Sequence, residues 1–287
     1  MNAALSCVAF FAATLIVSPA HSADTPKLVP ASVAPAYAEA KEAMDAADFA
    51  KAAQILEDAL RELPAQADGA NLLNLALGTA YLRADQPEKA IAPLEKNPTP
   101  EALPLLADAL RRAGRPADAR RFYEKASTGE SINARYSRAR ISEIDAATAD
   151  KPELLFAAAD GFAALGPEDA AYFDEASKLY EAIARSRQWR GEPTAHAIFS
   201  LGEVQRQRKS YPEAIAYYQR CFVSWAKFTQ WGARSYLRAA ECFETLGRRT
   251  DAIAHLREMM RKADKYGRLP EFIEAKTKLR SWGEVVQ

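Results

Sequence analysis

Apolar residues along this chain recur at helical spacing and do not alternate with polar ones. Six times an alanine stands three residues after an aromatic, a proline or an arginine: Phe49 to Ala52, Pro87 to Ala90, Pro116 to Ala119, Phe173 to Ala176, Tyr211 to Ala214 and Arg249 to Ala252. Four residues beyond each alanine comes a large apolar side chain, Leu56, Leu94, Tyr123, Tyr180, Tyr218 and Leu256, and usually a smaller one follows three further on, as at Ala59, Ala126, Ile183 and Cys221. Residues spaced by three and four share one face of a helix, so each copy predicts a helix with a buried stripe. Prolines at 64, 87, 116, 152, 193, 212 and 270 mark helix boundaries, and Gly114, Gly166 and Gly247 follow apolar helix ends. The pattern predicts an all-α chain of about fourteen helices between residues 35 and 283, with an unpaired extra helix near 131–149. No sustained alternation of Val, Ile and Thr announces a sheet.

The marker alanines lie 38, 29, 57, 38 and 38 residues apart, so the copies form an internal repeat with one irregular stretch. A small residue lets the backbone of a neighbouring helix approach, and a large side chain a turn away fills the space beside it. Leu77-Gly78 and Tyr81 before Ala90, Leu201-Gly202 before Tyr211, Ala214 and Tyr218, and Ala239-Ala240 with Phe243 before Ala252 carry a closer likeness. This order resembles the tetratricopeptide repeat (TPR) family, in which a W-x2-L-G-x2-Y helix precedes an A-x3-F helix. The resemblance implies a right-handed superhelical solenoid of antiparallel helix pairs, with Gly78, Tyr81, Ala90, Ala119, Ala176, Gly202, Ala214, Tyr218, Ala240 and Ala252 as packing positions. The expected organisation is a signal peptide over 1–23, a flexible segment over 24–34 and a solenoid over 35–287. Within the solenoid, N-terminal repeats occupy 35–126, an irregular middle 127–190, the best pairs 193–266 and a capping helix 269–287.

Residues 4–17, Ala4 to Val17, are uncharged and apolar, Ser18-Pro19 breaks the run, and Ala20 to Ala23 offers small residues for cleavage. That length suits a signal peptide better than a membrane span, and nothing else in the sequence is long and apolar enough to be one, so an exported, periplasmic protein cleaved near Ser22 or Ala23 is expected. Cys221 and Cys242 fall on packing positions and are expected as two buried thiols. His196 and His255 have no metal-ligand spacing, and no phosphate loop or nucleophile elbow is present, so neither metal nor cofactor is expected. Glu241 and Glu244 are one helical turn apart, the only pairing that an envelope glycan or lipid enzyme could use; a solvated helix face is the reading preferred.

The 38 basic and 38 acidic side chains cancel in sum but not locally. Residues 24–110 hold 7 basic and 14 acidic, 111–140 hold 9 and 3, 141–184 hold 2 and 10, and 185–287 hold 20 and 11. Such blocks can steer a charged partner, here an acidic protein or peptide toward the C-terminal part. Nucleic acid is not expected, because no basic stripe interleaved with aromatics is visible on one helix face. In the TPR family the first helix of each pair lines the groove, which would place Phe199, Glu203, Arg206, Arg234, Arg238 and Glu241 toward a partner. Arg234 and Arg238 look like half of the family's carboxylate clamp, but Tyr37, Lys41, Leu75 and Thr79 stand where its lysines and asparagines would be. The aromatics Phe222, Trp225, Phe228, Trp231 and Tyr236 read as core at the junction of two pairs, and Trp282 as an end cap. From about residue 193 the chain is also similar to the TPR parts of bacterial cell-envelope proteins such as the Tol-Pal coordinator and outer-membrane assembly proteins. The resulting expectation is a noncatalytic periplasmic scaffold or adaptor, with self-association as the alternative.

Overall fold

The structure is a computed structural model that describes residues 29–64, 67–97 and 99–285. The apolar run over 4–17 and the expected cleavage region lie outside the described residues. Fifteen helices and no strand are found among the described residues. In chain order they are α1 (Ala34–Asp45), α2 (Phe49–Glu62), α3 (Ala70–Arg83), α4 (Pro87–Glu95), α5 (Ala102–Arg112), α6 (Pro116–Ala126), α7 (Ile132–Ala149) and α8 (Pro152–Leu165). There follow α9 (Ala171–Arg185), α10 (Glu192–Gln207), α11 (Tyr211–Ser224), α12 (Thr229–Thr245), α13 (Arg249–Met260), α14 (Ala263–Tyr266) and α15 (Pro270–Ser281). The fifteenth helix, beyond the fourteen expected, is the four-residue α14. Six antiparallel hairpins result, α1/α2, α3/α4, α5/α6, α8/α9, α10/α11 and α12/α13, with α7 between the third and fourth.

Five of the hairpins turn through the same three-residue link. Its middle residue is left-handed: Ala47 (φ 60°), Asp85 (φ 57°), Gly114 (φ 76°), Lys209 (φ 63°) and Gly247 (φ 72°). The next residue donates its N–H five residues back, as Ser210 does to the Gln205 carbonyl at 2.9 Å and Arg248 to Phe243 at 2.8 Å. This is the Schellman closure of a helix C-terminus, for which glycine is the unstrained residue. Two of the five turns have it. Gly166, read from sequence as a similar turn, has φ −53° instead, and a Cβ on it would collide with the Phe173 ring. Its role is close approach, not turning, and the α8/α9 link is accordingly longer.

Each hairpin closes on a small residue facing a large one. A Cβ on Gly202 would lie 2.5 Å from the Tyr218 ring, and one on Gly78 would sit inside the Leu94 side chain. Sixteen residues separate both pairs, and at the same offset Ala40 precedes Leu56, Ala107 precedes Tyr123 and Ala240 precedes Leu256. All six of these alanines and large side chains are fully buried. Ala90, Ala119, Ala176, Ala214 and Ala252 are likewise 0% exposed, and Tyr81 is buried.

Tyrosines fill these crossings and bring a hydroxyl that must be satisfied when buried. Tyr81 donates to Glu57, Tyr123 to Asp108, Tyr180 to Asp160 at 2.5 Å, Tyr218 to Glu203 at 2.5 Å and Tyr236 to Glu258 at 2.7 Å. Every one of these bonds ties two consecutive helices. Burial, and then the adjacent carboxylate, raises the Tyr180 and Tyr218 hydroxyls well above their ordinary range.

The described residues fall into two compact units that divide between Ser137 and Arg138, inside α7. In the first, Tyr136 joins Tyr123 on the buried Asp108 carboxylate, donating at 2.8 Å. In the second, Arg140, 6% exposed, pairs with Glu175 at 2.9 Å and lies over the Phe162 ring. Burial alone would raise the Glu175 carboxyl, yet Arg140 and Lys178 hold it below its ordinary value. His196 of α10 is sandwiched between Phe156 of α8 at 4.1 Å and Trp231 of α12 at 3.9 Å, near-parallel to both. Burial, then the nearby Arg234 charge, lowers its pKa to about 4. Cys221 and Cys242 are free and buried, as expected, and burial pushes both thiols up to about 11.

Two outcomes follow. Lys209→Gly relieves a left-handed non-glycine turn and is expected to raise stability by up to about 1 kcal/mol, net of the added freedom of the unfolded chain. Gly202→Val displaces Tyr218 from its crossing and is expected to cost about 1–3 kcal/mol. Urea denaturation of the two variants checks both signs. A second outcome concerns pH: folded His196 resists protonation, so the unfolded state takes up the proton first as pH falls. The contribution of His196 is fully present above 6.5 and is lost progressively down to about 4. Melting temperature is expected to decline across that window, and His196→Gln is expected to flatten the decline; an unchanged slope would refute the assignment to this residue.

Candidate functional site

The first helices of the last two complete hairpins, α10 and α12, run side by side. Gln230 donates to Glu192 at 2.6 Å near their N-terminal ends, and Arg238 approaches Glu203 at 3.5 Å further along. Between these two contacts lie His196, Phe199 and Trp231, with Phe199 5.5 Å from Trp231 and 5.7 Å from Tyr218. An aromatic floor therefore underlies a polar face.

The residues proposed from sequence meet on that face. Glu203 accepts from Arg206 at 2.8 Å and from Tyr218 at 2.5 Å, and Arg238 bonds Glu241 at 2.8 Å while contacting Glu203. Glu203, Arg206, Arg238 and Glu241 thus form one network, tied through Tyr218 to the crossing where Phe199 also packs. Hydrogen bonding to Glu203 holds the Arg206 guanidinium above its ordinary value; burial opposes the charge on Arg238, and Glu241 with Glu203 outweighs it. Arg234 departs from the expected arrangement. Its guanidinium lies 5.0 Å over the Trp231 ring and bonds Glu271 of α15 at 2.9 Å, away from Arg238. The pair that resembled half a carboxylate clamp is split between two sets of acids.

Charge on this face balances. Arg206, Arg234 and Arg238 are matched by Glu203, Glu241 and Glu271, so the basic surplus of residues 185–287 is not displayed here. Glu241 and Glu244 are both committed to cations, Glu244 to Lys278 at 2.8 Å, which holds its carboxyl below the ordinary value. For Glu244 that is the opposite of the raised pKa that a general acid needs.

Of the aromatic junction, Phe222, Trp231 and Tyr236 are buried, Phe222 stacking on Tyr236 at 3.9 Å, while Trp225 and Phe228 are half-buried. Trp282 packs on the α12/α13 core and donates to Glu244 at 3.1 Å. Sequence reasoning missed Glu271 and the Phe156–His196–Trp231 stack. A signal for them existed: Glu192 and Gln230 are 38 residues apart, the repeat length itself, and Arg234 and Glu271 are 37 apart, one short of it. Among the described residues no group of three His, Cys, Asp or Glu could hold a metal ion, and no helix is long and apolar enough to cross a membrane.

A tetratricopeptide-repeat family model matches residues 75–131 and 168–221. Among solved structures, the chain is similar to the TPR domain of P58(IPK), with 14% identity over 88% of this chain and 67% of that one, at a TM-score of 0.33. It is similar to the C-terminal part of a TPR repeat-containing protein from Cytophaga hutchinsonii, with 9% identity over 83% and 98% and a TM-score of 0.35. It is also similar to a Rap protein complexed with competence and sporulation factor, with 13% identity over 86% and 73% and a TM-score of 0.34. No curated protein matches it. The matched stretches cover three of the hairpins whose small-to-large crossings are described above, and over those stretches the chain carries tetratricopeptide repeats.

Proposed function

We propose that this protein is a noncatalytic scaffold that binds a protein or peptide on the α10/α12 face, and that it does so after export to the periplasm. The observation that carries the binding role is the fixed network Glu203–Arg206–Arg238–Glu241. Mutual ion pairing holds the four side chains in place before a partner arrives, which reduces the entropy lost on binding. Each guanidinium has five donors, and their neighbouring carboxylates use only some of them, so peptide carbonyls and side chains can be met without net charge. Recognition then rests on hydrogen-bond geometry and apolar contact more than on attraction of an acidic partner. Export is supported by the apolar run Ala4 to Val17 and the small residues after it.

The test has three readouts. Affinity capture from a membrane and periplasmic extract uses this chain beside an Arg238→Gln, Glu203→Gln variant, and a partner retained by the first is expected to be lost by the second. Equal retention by both removes the α10/α12 face from consideration. A solution mass that rises with concentration, in place of a captured partner, favours self-association. For export, osmotic-shock fractionation of the source cells is expected to release a chain beginning near Ala23; an intact chain in the cytosolic fraction refutes the periplasmic reading.

A further inference from the structure

The basic surplus of residues 185–287 has to lie somewhere other than the α10/α12 face, and the hairpin topology places it. In the unit formed by residues 138–287, links that lead from one hairpin to the next share an edge. Gln188 in the α9–α10 link bonds Asp150 in the α7–α8 link at 2.6 Å. A Cβ on Gly191 in the α9–α10 link would lie 3.8 Å from Phe228 in the α11–α12 link, and one on Gly232 in the first turn of α12 would lie 2.9 Å from the hydroxyl of Tyr266 in α14. The turns within hairpins form the opposite edge, where Arg208 reaches back to Asp174 at 2.5 Å and Lys278 to Glu244 at 2.8 Å.

Arg187, Arg190, Lys227, Arg261, Lys265 and Arg268 all stand on the first edge. Among the described residues none has an ion-pair partner, and all but the half-buried Lys265 are exposed. They recur with the repeat: Trp189, Lys227 and Lys265 are successive residues at an offset of 38, and so are Arg190, Phe228 and Tyr266. Of the acids on this edge, Glu181 is paired with Arg185 and Glu258 with Lys262, while Asp150 and Glu192 bond only the neutral amides of Gln188 and Gln230; with Asp264 that leaves three carboxylates against six cations, a net positive rim. A basic rim interleaved with aromatics, absent from any single helix in the sequence, is thus assembled by the 38-residue register.

We propose that this rim docks the protein on an anionic phospholipid surface. Cations near such a surface each add attraction, and tryptophan favours the boundary between headgroups and water. The aromatic side chains fit that role better than base stacking. Trp189, Trp225 and Phe228 are half-buried, and Trp225 stacks on Phe228 at 6.3 Å with Lys227 4.9 Å over the Phe228 ring, so the faces of that pair are already engaged. A single-stranded nucleic acid needs open aromatic faces. This proposal is independent of peptide binding by the α10/α12 face.

The experiment is co-sedimentation of the chain with vesicles of phosphatidylcholine alone and of phosphatidylcholine with one-third phosphatidylglycerol, at low and moderate salt. The excess binding to the anionic vesicles isolates the charge-dependent part from any held by the apolar N-terminal run. That excess is expected to fall by about tenfold or more, from the loss of several surface cations, in the variant with all six cations changed to glutamine. It is expected to fall less in Arg190→Gln, Lys227→Gln, Arg268→Gln, and not at all in the opposite-edge control Lys209→Gln, Arg249→Gln, Arg280→Gln. Circular dichroism confirms that each variant is folded. No excess on anionic vesicles, an equal loss in the control, or binding of oligothymidylate by anisotropy without vesicle binding would each overturn the proposal.

Discussion

Close approach at the hairpin crossing is the constraint on which everything else here depends. Where Gly202 faces Tyr218 and Gly78 faces Leu94, there is no room for even one added methyl group. Dense packing of this kind makes the relation between two helices discrete, because sliding either one drives atoms into contact. Once each crossing is fixed, the length of helix and link up to the next hairpin sets where equivalent residues fall. In the C-terminal unit the links differ in length, but helix and link together keep a repeat of 38 residues from Ala176 to Ala214 to Ala252, and so bonds at offsets of 37 and 38 recur from Gln188–Asp150 to Trp282–Glu244.

The tyrosine hydroxyls add a second layer of specification. A leucine would fill the same crossing, as Leu94 and Leu256 do, but a tyrosine must also find an acceptor, and Asp108, Asp160 and Glu203 supply one from the preceding helix. A slipped helix pair would strand a buried hydroxyl beside a buried carboxylate, which is costly. Glu203 belongs both to this packing system and to the polar face, accepting from Tyr218 on one side and contacting Arg206 and Arg238 on the other. Core geometry is thereby passed directly to the surface that a partner would meet.

Charge shows how the same register sorts residues by location. Arginines within α10 and α12 are neutralised by glutamates one turn away or one repeat away, whereas among the described residues Arg187, Arg190 and Arg268 in the links between hairpins have no such neighbour. A sum over residues 185–287 merges these two populations, and for that reason it pointed to a basic groove. The groove is balanced, and six cations of the surplus stand on the linking edge of that unit.

Helix type, helix boundaries and the small-to-large crossings were determined by the sequence alone, because they depend on residues within about sixteen positions of one another, such as Ala52 with Leu56 or Gly202 with Tyr218. The two buried thiols and the buried part of the aromatic junction were legible for the same reason: residue type at a packing position decides burial. Only the tertiary structure decided that Arg234 belongs to Glu271 and not beside Arg238, that His196 is held neutral between Phe156 and Trp231, and that six cations from three links share an edge. Those outcomes turn on which atoms of successive repeats come within a few ångströms. Periodicity fixes the repeat length but not the side-chain directions across it, and short-range bonds and desolvation respond to direction and distance.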